Sequence, residues 1–299
     1  MLKRLSDLFA PYGVQVAKNV KRLINGEDVE QFLFKKPEEE AGPTIDKNVI
    51  DNFFDNDKEK EFVEQVLLIV NDAKNQIIGA EKIVGLLKNG GDIMPCAVNT
   101  AANKALLDRC LHREVLDMSI IYRLVLKEDN EGLQSTVITT DFAERVGITE
   151  EELFLRAKEY VCENARCATL FDLLLCGRSK VPLNEYSVED AMAGEDGMNI
   201  MLTLSYGGSL YGAGIMAMWA DENGGCAPEW MRGRVVLPSS IHEAFVVLTD
   251  EVENDALLEM VHSVNCEQVD REERLSNSVY EITADGKLAI RIKGEPLVA

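Results

Sequence analysis

The sequence predicts an α+β protein, and three observations carry that prediction. Apolar runs come in pairs around short polar turns, the signature of antiparallel hairpins. Amphipathic helical segments recur between them, with apolar residues three and four apart. Strands and helices do not alternate in the regular way that a doubly wound parallel sheet requires. At 299 residues, 46% hydrophobic and 28% charged, the chain carries enough apolar material for one large core or two smaller ones. Two lobes are expected, over residues 1–180 and 199–293, with an acidic, Gly-bearing linker or surface excursion at 181–198 between them.

The elements follow in order. Leu2, Leu5 and Phe9 share one face of a short N-terminal helix over residues 1–10. Val14–Val20 and Asp28–Phe34 read as strands around the Asn25-Gly26 turn, with a further strand candidate at Thr44–Ile50. Phe62, Val63, Val66, Ile69, Val70 and Ala73 define a helix from Asp57 to Lys74, and Ala80–Lys88 is a second, stopped by Asn89-Gly90-Gly91. A strand at Ile93–Val98 and a helix at Thr100–Cys110 precede a hairpin of Val115–Leu126 with Ser135–Thr140. Thr149 and Glu152 form a capping box that opens the longest helix, whose apolar stripe continues to Leu174. After a strand at Met201–Tyr206, a Gly-rich turn and an apolar stretch at Ile215–Trp219, two apolar runs flank Leu237–Glu243. That segment should join two adjacent antiparallel strands. Asp250 and Glu253 cap a helix through Val252–Val264, and Ser278–Ile282 with Lys287–Ile292 close the chain as a hairpin around Asp285-Gly286.

Charge excludes several function classes. A net charge of −21 repels DNA, RNA and anionic membranes, whose binding needs clustered Lys and Arg. Residues 38–64 hold ten acids against three bases, and residues 250–275 nine against two, a net −7 in each. Such a field favours a protein partner with a basic surface, or mimicry of a nucleic acid. No apolar run approaches the length of a membrane span and no targeting segment is visible at the N-terminus, so a cytoplasmic monomer is expected. Seven cysteines at irregular spacing read as reduced thiols, best placed as small buried hydrophobes. Cys162, Cys167 and Cys176 lack the paired short spacers of a zinc site, so no metal is expected.

Three constellations could carry chemistry. Ser240, His242 and Glu243 supply the residue types of a nucleophile, a base and an acid. Ser240 and His242 point to one face of an extended segment and Glu243 to the other, an arrangement that suits turn chemistry better than catalysis. There is no G-x-S-x-G elbow. His112, Arg113 and Asp117 form the second set: an acid inside an apolar run needs a cationic partner, and Arg113 or Arg123 is the nearest candidate. Gly212-Ala213-Gly214-Ile215-Met216-Ala217 fits G-x-G-x-x-A, but Arg232 and Arg234 occupy the region where a dinucleotide site needs an acid. No cofactor is expected.

Three landmarks taken together resemble a known family. They are Pro95–Asn99 running on through His112–Asp117 and Tyr122, then Gly147–Leu153, then Leu237–Glu243. Their order and separation resemble domain-of-unknown-function family 5688, over roughly Thr44 to Ile292. Where the family carries tryptophan or a similar residue before Gly-Val-Thr-Glu-Glu-Glu-Leu, Val146 stands here. The resemblance implies gut bacteria of the Firmicutes and a setting within integrative or conjugative elements, and it brings no activity with it. The expectation is therefore a protein that binds a partner, as an accessory or counter-defence factor of a mobile element, with Asp255 and Glu259 presenting the acidic face of the Val252–Val264 helix. The rivals are a hydrolase or transferase built on Ser240, His242 and an acid, and a small-ligand or structural module around His112–Asp117.

Overall fold

The fold is α+β, built from antiparallel sheets and packed helices in two units, Met1–Asn89 and Gly90–Ala299. The computed structural model describes residues 1–297 except 22–23, 27, 40, 73–79, 130–131, 170–171, 174–179, 188–200, 208–209 and 250–252. Among the described residues, the strand pairs are all antiparallel.

In the first unit, helix α1 (Leu2–Phe9) turns at Gly13 (φ 68°) into a hairpin of β1 (Gln15–Lys21) and β2 (Val29–Lys35). Strand β3 (Thr44–Asp46) lies on the other edge of β2. The strand expected at Thr44–Ile50 ends early, because Asp46 becomes the N-cap of α2 (Lys47–Asp55). Helices α3 (Glu59–Asp72) and α4 (Ala80–Lys88) complete the unit. Its core is phenylalanine. The Phe62 ring meets those of Phe9, Phe34, Phe53 and Phe54 at centroid distances of 5.5–6.1 Å, and Leu5, Ile50, Val63, Val66 and Val70 fill the remaining volume. Edge-to-face pairs of this kind contribute about 0.5–1.5 kcal/mol each beyond their burial.

The described residues of the second unit form two sheets. Strand β6 (Met118–Asp129) pairs with the wholly buried β4 (Ile93–Asn99) on one edge. Its other edge takes β5 (His112–Val115) and then β7 (Gly132–Val137). The predicted strand from Val115 to Leu126 is broken at its start: Leu116-Asp117 is a tight turn, with Leu116 at φ 56°. The expected helix over Thr100–Cys110 shrinks to a 3₁₀ turn and α5 (Lys104–Leu107). Helix α6 (Thr140–Val146) leads to α7 (Glu150–Asn164), whose Thr149–Glu152 capping box forms as predicted. That helix stops ten residues before Leu174, because Ala165 turns extended (ψ 130°) and Arg166–Thr169 becomes strand β8.

The seven-stranded sheet runs β14-β13-β11-β12-β10-β8-β9. Its remaining strands are β9 (Val181–Pro182), β10 (Met201–Ser205), β11 (Val235–Pro238), β12 (Ala244–Val247), β13 (Val279–Ile282) and β14 (Leu288–Ile292). Strands β11 and β12 flank the Leu237–Glu243 segment as predicted. The Ile215–Trp219 stretch is part of α8 (Ala213–Ala220), apolar all round and buried from Ala213 to Trp219. Helix α9 (Asn254–Glu267) starts with Glu253 as N-cap; Asp250, the expected first cap residue, lies outside the described residues.

The lobe boundaries expected from composition do not match this division. Strands β8 and β9 pair with each other and β8 with β10, so residues on both sides of 181–198 share one sheet, and the break falls after Asn89. A polar, acidic stretch reads like a linker, but the strand pairing on either side of it decides. Among the described residues, no helix is long and apolar enough to cross a membrane.

Candidate functional site

The β11–β12 connection holds its polar residues by local bonds. Ser240 Oγ accepts the His242 backbone N–H at 3.0 Å, and the Ser240 N–H donates to the Glu243 carbonyl at 3.1 Å. The imidazole is engaged elsewhere. Its Nδ1 accepts the Tyr211 N–H at 3.2 Å, which fixes the neutral ring's proton on Nε2, 3.3 Å from Glu273. Tyr211 itself takes a left-handed backbone (φ 60°) and lays its ring between His242 and the Arg123 guanidinium. The Glu243 carboxylate faces the Lys180 ammonium at 3.8 Å, and that ammonium also donates to the buried Ser205 hydroxyl at 2.6 Å. Burial pulls the Lys180 amine below its usual range, against the pull of Glu243. Ser240, His242 and Glu243 thus each serve a different neighbour, with Ser240 bonded to the backbone and not to the imidazole.

The His112–Asp117 set is likewise divided. His112 Nδ1 donates to the Cys110 carbonyl at 3.0 Å. Arg113 binds Glu150 through Nε and Nη2 (3.0 and 2.7 Å), Glu151 at 2.7 Å and Asp221 at 3.4 Å, with its guanidinium 3.6 Å from the Phe154 ring centroid. The buried Tyr122 hydroxyl donates to the same Glu150 carboxylate; burial, and then that charge, hold its phenol above the usual range. Arg123 donates to Ser135.

Asp117 therefore does not take the cationic partner expected for it. It sits in the turn, off the strand, and accepts three hydroxyls: Ser276 at 2.7 Å, Ser278 at 3.0 Å and Tyr280 at 2.6 Å. One carboxylate thus ties the β5–β6 turn to β13 and the segment before it. Replacing Asp117 by Ala strands these buried donors and should destabilise by about 1–3 kcal/mol, with Asn restoring part of the loss. A urea midpoint that does not move in the Ala variant would contradict this role.

The glycine pattern at Gly212–Ala217 has no room for a nucleotide. A Cβ at Gly212 would lie 2.3 Å from Ser205 Cα, and one at Gly214 would lie 2.2 Å from the Pro95 carbonyl oxygen. The close approach that pyrophosphate would need is made here by the protein's own backbone. Among the described residues, no group of three or more His, Cys, Asp or Glu is placed to hold a metal ion. The described thiols divide evenly. Cys96, Cys110 and Cys167 are buried as predicted, whereas Cys162, Cys226 and Cys266 are exposed.

Among the described residues, an open groove lies along α9. A groove of about 460 Å³ is lined by Asp255, Leu258, Glu259, His262, Asn277, Gly294 and Glu295. Helical periodicity explains half of it. Leu257 and Val261 pack α9 inward, which turns Asp255, Glu259 and His262 to solvent. The other wall is fixed by Asn277, whose Oδ1 accepts from Asn265 at 2.8 Å and whose Nδ2 donates to the Glu295 carbonyl at 3.0 Å. Three acidic residues and one histidine line the groove, and no Lys or Arg does among the described residues. The nearby Arg291 is engaged by Asn254 (2.9 Å) and Glu281 (3.9 Å). The structure thus brings together Asp255 and Glu259, and adds His262, Asn277 and Glu295, which the sequence reading missed. His262 was legible as one turn beyond Leu258 on the same helix; Glu295 had no signal, being near in space only after β14 is paired.

A family of unknown function (DUF5688) matches residues 2–282 of the chain. The protein belongs to that family. Membership extends well before Thr44, where the motif-level resemblance begins, so the phenylalanine-cored unit is part of the DUF5688 pattern. No curated protein and no solved structure matches the chain.

Proposed function

We propose that this DUF5688 protein works by binding, and that its groove along α9 takes a lysine- or arginine-bearing segment of a protein partner. The observation that carries this reading is a groove lined by Asp255, Glu259 and Glu295, with no Lys or Arg among its described lining residues. Carboxylates gathered at one place repel each other by about 1 kcal/mol per close pair even in water. An incoming ammonium or guanidinium relieves that repulsion, and its aliphatic stem can lie along Leu258. The net charge of −21 steers such a partner from a distance. We place the protein in the cytoplasm as a monomer. In the mobile-element setting that the family resemblance implies, the partner is a host protein whose basic face otherwise holds nucleic acid.

The test uses a fluorescent peptide of eight residues rich in Lys and Arg, with a Glu-substituted peptide as control. Raising salt from about 50 to 500 mM should weaken binding at least about tenfold, because the screening length falls to a few ångströms. Asp255→Asn/Glu259→Gln should weaken it at least about fivefold at low salt, whereas Glu61→Gln/Glu64→Gln, which removes equal charge from exposed positions of α3, should not. Equal losses from the two double variants would mean that the peptide reads net charge alone, and the groove reading would fall.

A further inference from the structure

Cys266 follows His262 by one helical turn on α9, and its Sγ lies 3.7 Å from the imidazole Nε2. Both side chains are exposed, and His262 also lines the acidic groove. The hydrogen bonds of the other two histidines go to other groups: His112 Nδ1 to the Cys110 carbonyl, and His242 to Tyr211 and Glu273. Cys162 and Cys226 are also exposed, and among the described exposed thiols Cys266 is the one with an imidazole beside it. A nucleophile within reach of an imidazole, beside a cavity able to hold the rest of a substrate, has the elements of an activated thiol.

We propose that Cys266 and His262 form a thiol–disulfide exchange site for disulfides that carry positive charge. His262 Nε2 takes the proton from the Cys266 thiol, and the thiolate sulfur attacks one sulfur of the incoming disulfide. The substrate S–S bond breaks as the Cys266–S–S–R bond forms. The departing half leaves as a thiolate and collects the proton. Cys266 is thereby oxidised to a mixed disulfide and the departing half is reduced to a thiol, so the electrons balance within the pair. The Asp255, Glu259 and Glu295 side chains of the adjoining groove draw in an ammonium or guanidinium attached to the substrate. The charge preference rests on the proposed groove function; the activation of the thiol does not.

The experiment treats the intact protein with excess cystamine, a dicationic disulfide, or with dithiodiglycolate, a dianionic one. Acid quenching and peptide mass mapping then give separate rates at Cys266, Cys162 and Cys226. Cys266 should react with cystamine at least about tenfold faster than the other two, a modest share of what a positioned base supplies. His262→Gln should bring Cys266 down to their rate while leaving Cys162 and Cys226 unchanged, which also reports an intact fold. At about 50 mM salt, cystamine should be preferred over dithiodiglycolate at Cys266, and about 500 mM salt or Asp255→Asn/Glu259→Gln should erase the preference. A Cys266 no faster than Cys162 and Cys226, or indifferent to His262→Gln, overturns the site. His-dependent reactivity without charge preference overturns the substrate class and counts against the groove function. Charge preference without His262 dependence overturns the exchange site and leaves the groove function standing.

Discussion

Raising the pH above about 10 is expected to unfold the second unit and leave the first folded. The cause is a set of acids that the fold keeps protonated. Burial pushes the Cys96 and Cys167 thiols from an ordinary 9.0 up to about 12, and Cys110 to about 11. Burial also raises the Tyr206 and Tyr280 phenols well above 10.0; the Tyr160 phenol adds to the first effect and the Asp117 carboxylate to the second. A group whose folded value is raised contributes stability that is fully present below its unfolded value. Here that contribution is complete below about pH 9 and is lost as the pH climbs toward the folded values. Each such group then costs about 1.4 kcal/mol per pH unit above its unfolded value, so the set costs on the order of 10 kcal/mol by pH 11. A single domain has about 5–15 kcal/mol in total. The first unit has no cysteine, and its one tyrosine, Tyr12, is 55% exposed. Both tryptophans, Trp219 and Trp230, lie in the second unit, so the wavelength of their emission maximum follows that unit alone. It should shift to the red between pH 10 and 11, while only part of the far-UV helical signal disappears. An emission maximum that holds its position to about pH 11.5 would contradict this.

Periodicity and turn chemistry made much of the fold legible, because they act over a few residues. The Thr149–Glu152 box needed only its own first turn, and the Val235–Leu248 hairpin only its two apolar runs. The misreadings came where a distant partner decides. Residues Arg166–Thr169 continue a helical stripe in sequence, yet they pair with β10 and become a strand. Leu116 accepts a left-handed backbone so that β5 can fold onto β6, and that turn sends Asp117 to three hydroxyls about 160 positions away. No local pattern announces such a partner. The candidate site was half legible for the same reason: Asp255 and Glu259 follow from the face of one helix, whereas Asn277 and Glu295 arrive from other elements.

The three landmarks that carry the family resemblance prove to be joints. Arg113 of the first binds Glu150 and Glu151 of the second, and Asp117 fastens the same hairpin to Ser276, Ser278 and Tyr280. His242 of the third holds the Tyr211-Gly212 turn through its ring and its carbonyl. The most recognisable residues therefore assemble the second unit, and the groove lies apart from them on a helix with no motif of its own. A search for catalytic signatures reads these joints as chemistry because assembly and catalysis draw on the same polar residue types.

The same substitution at two glycines should have opposite signs, and the larger effect tests the packing of α8. Ala is the better helix former by about 1 kcal/mol, so propensity favours Gly→Ala at any helical position. Gly85 in α4 has nothing within 4 Å of a new Cβ and no positive φ, so Gly85→Ala should stabilise the first unit by about 0.5–1 kcal/mol. Gly214 is also helical, but its Cβ would come 2.2 Å from the Pro95 carbonyl oxygen and 3.3 Å from the Tyr206 hydroxyl. Neither neighbour can yield cheaply: Pro95 is paired with Tyr122 inside the fully buried β4, and Tyr206 is itself buried. Relief requires α8 to lift away from β4, which opens contacts around Ile215, Met216 and Met218 in the centre of the unit. Overpacking against backbone costs about 3 kcal/mol or more, well above the propensity gain, so Gly214→Ala should leave the second unit unfolded or close to it. Urea titrations followed by tryptophan emission for Gly214→Ala and by far-UV circular dichroism for Gly85→Ala would decide. If Gly214→Ala matched the wild-type midpoint, α8 would not lie against β4 as closely as the structure places it.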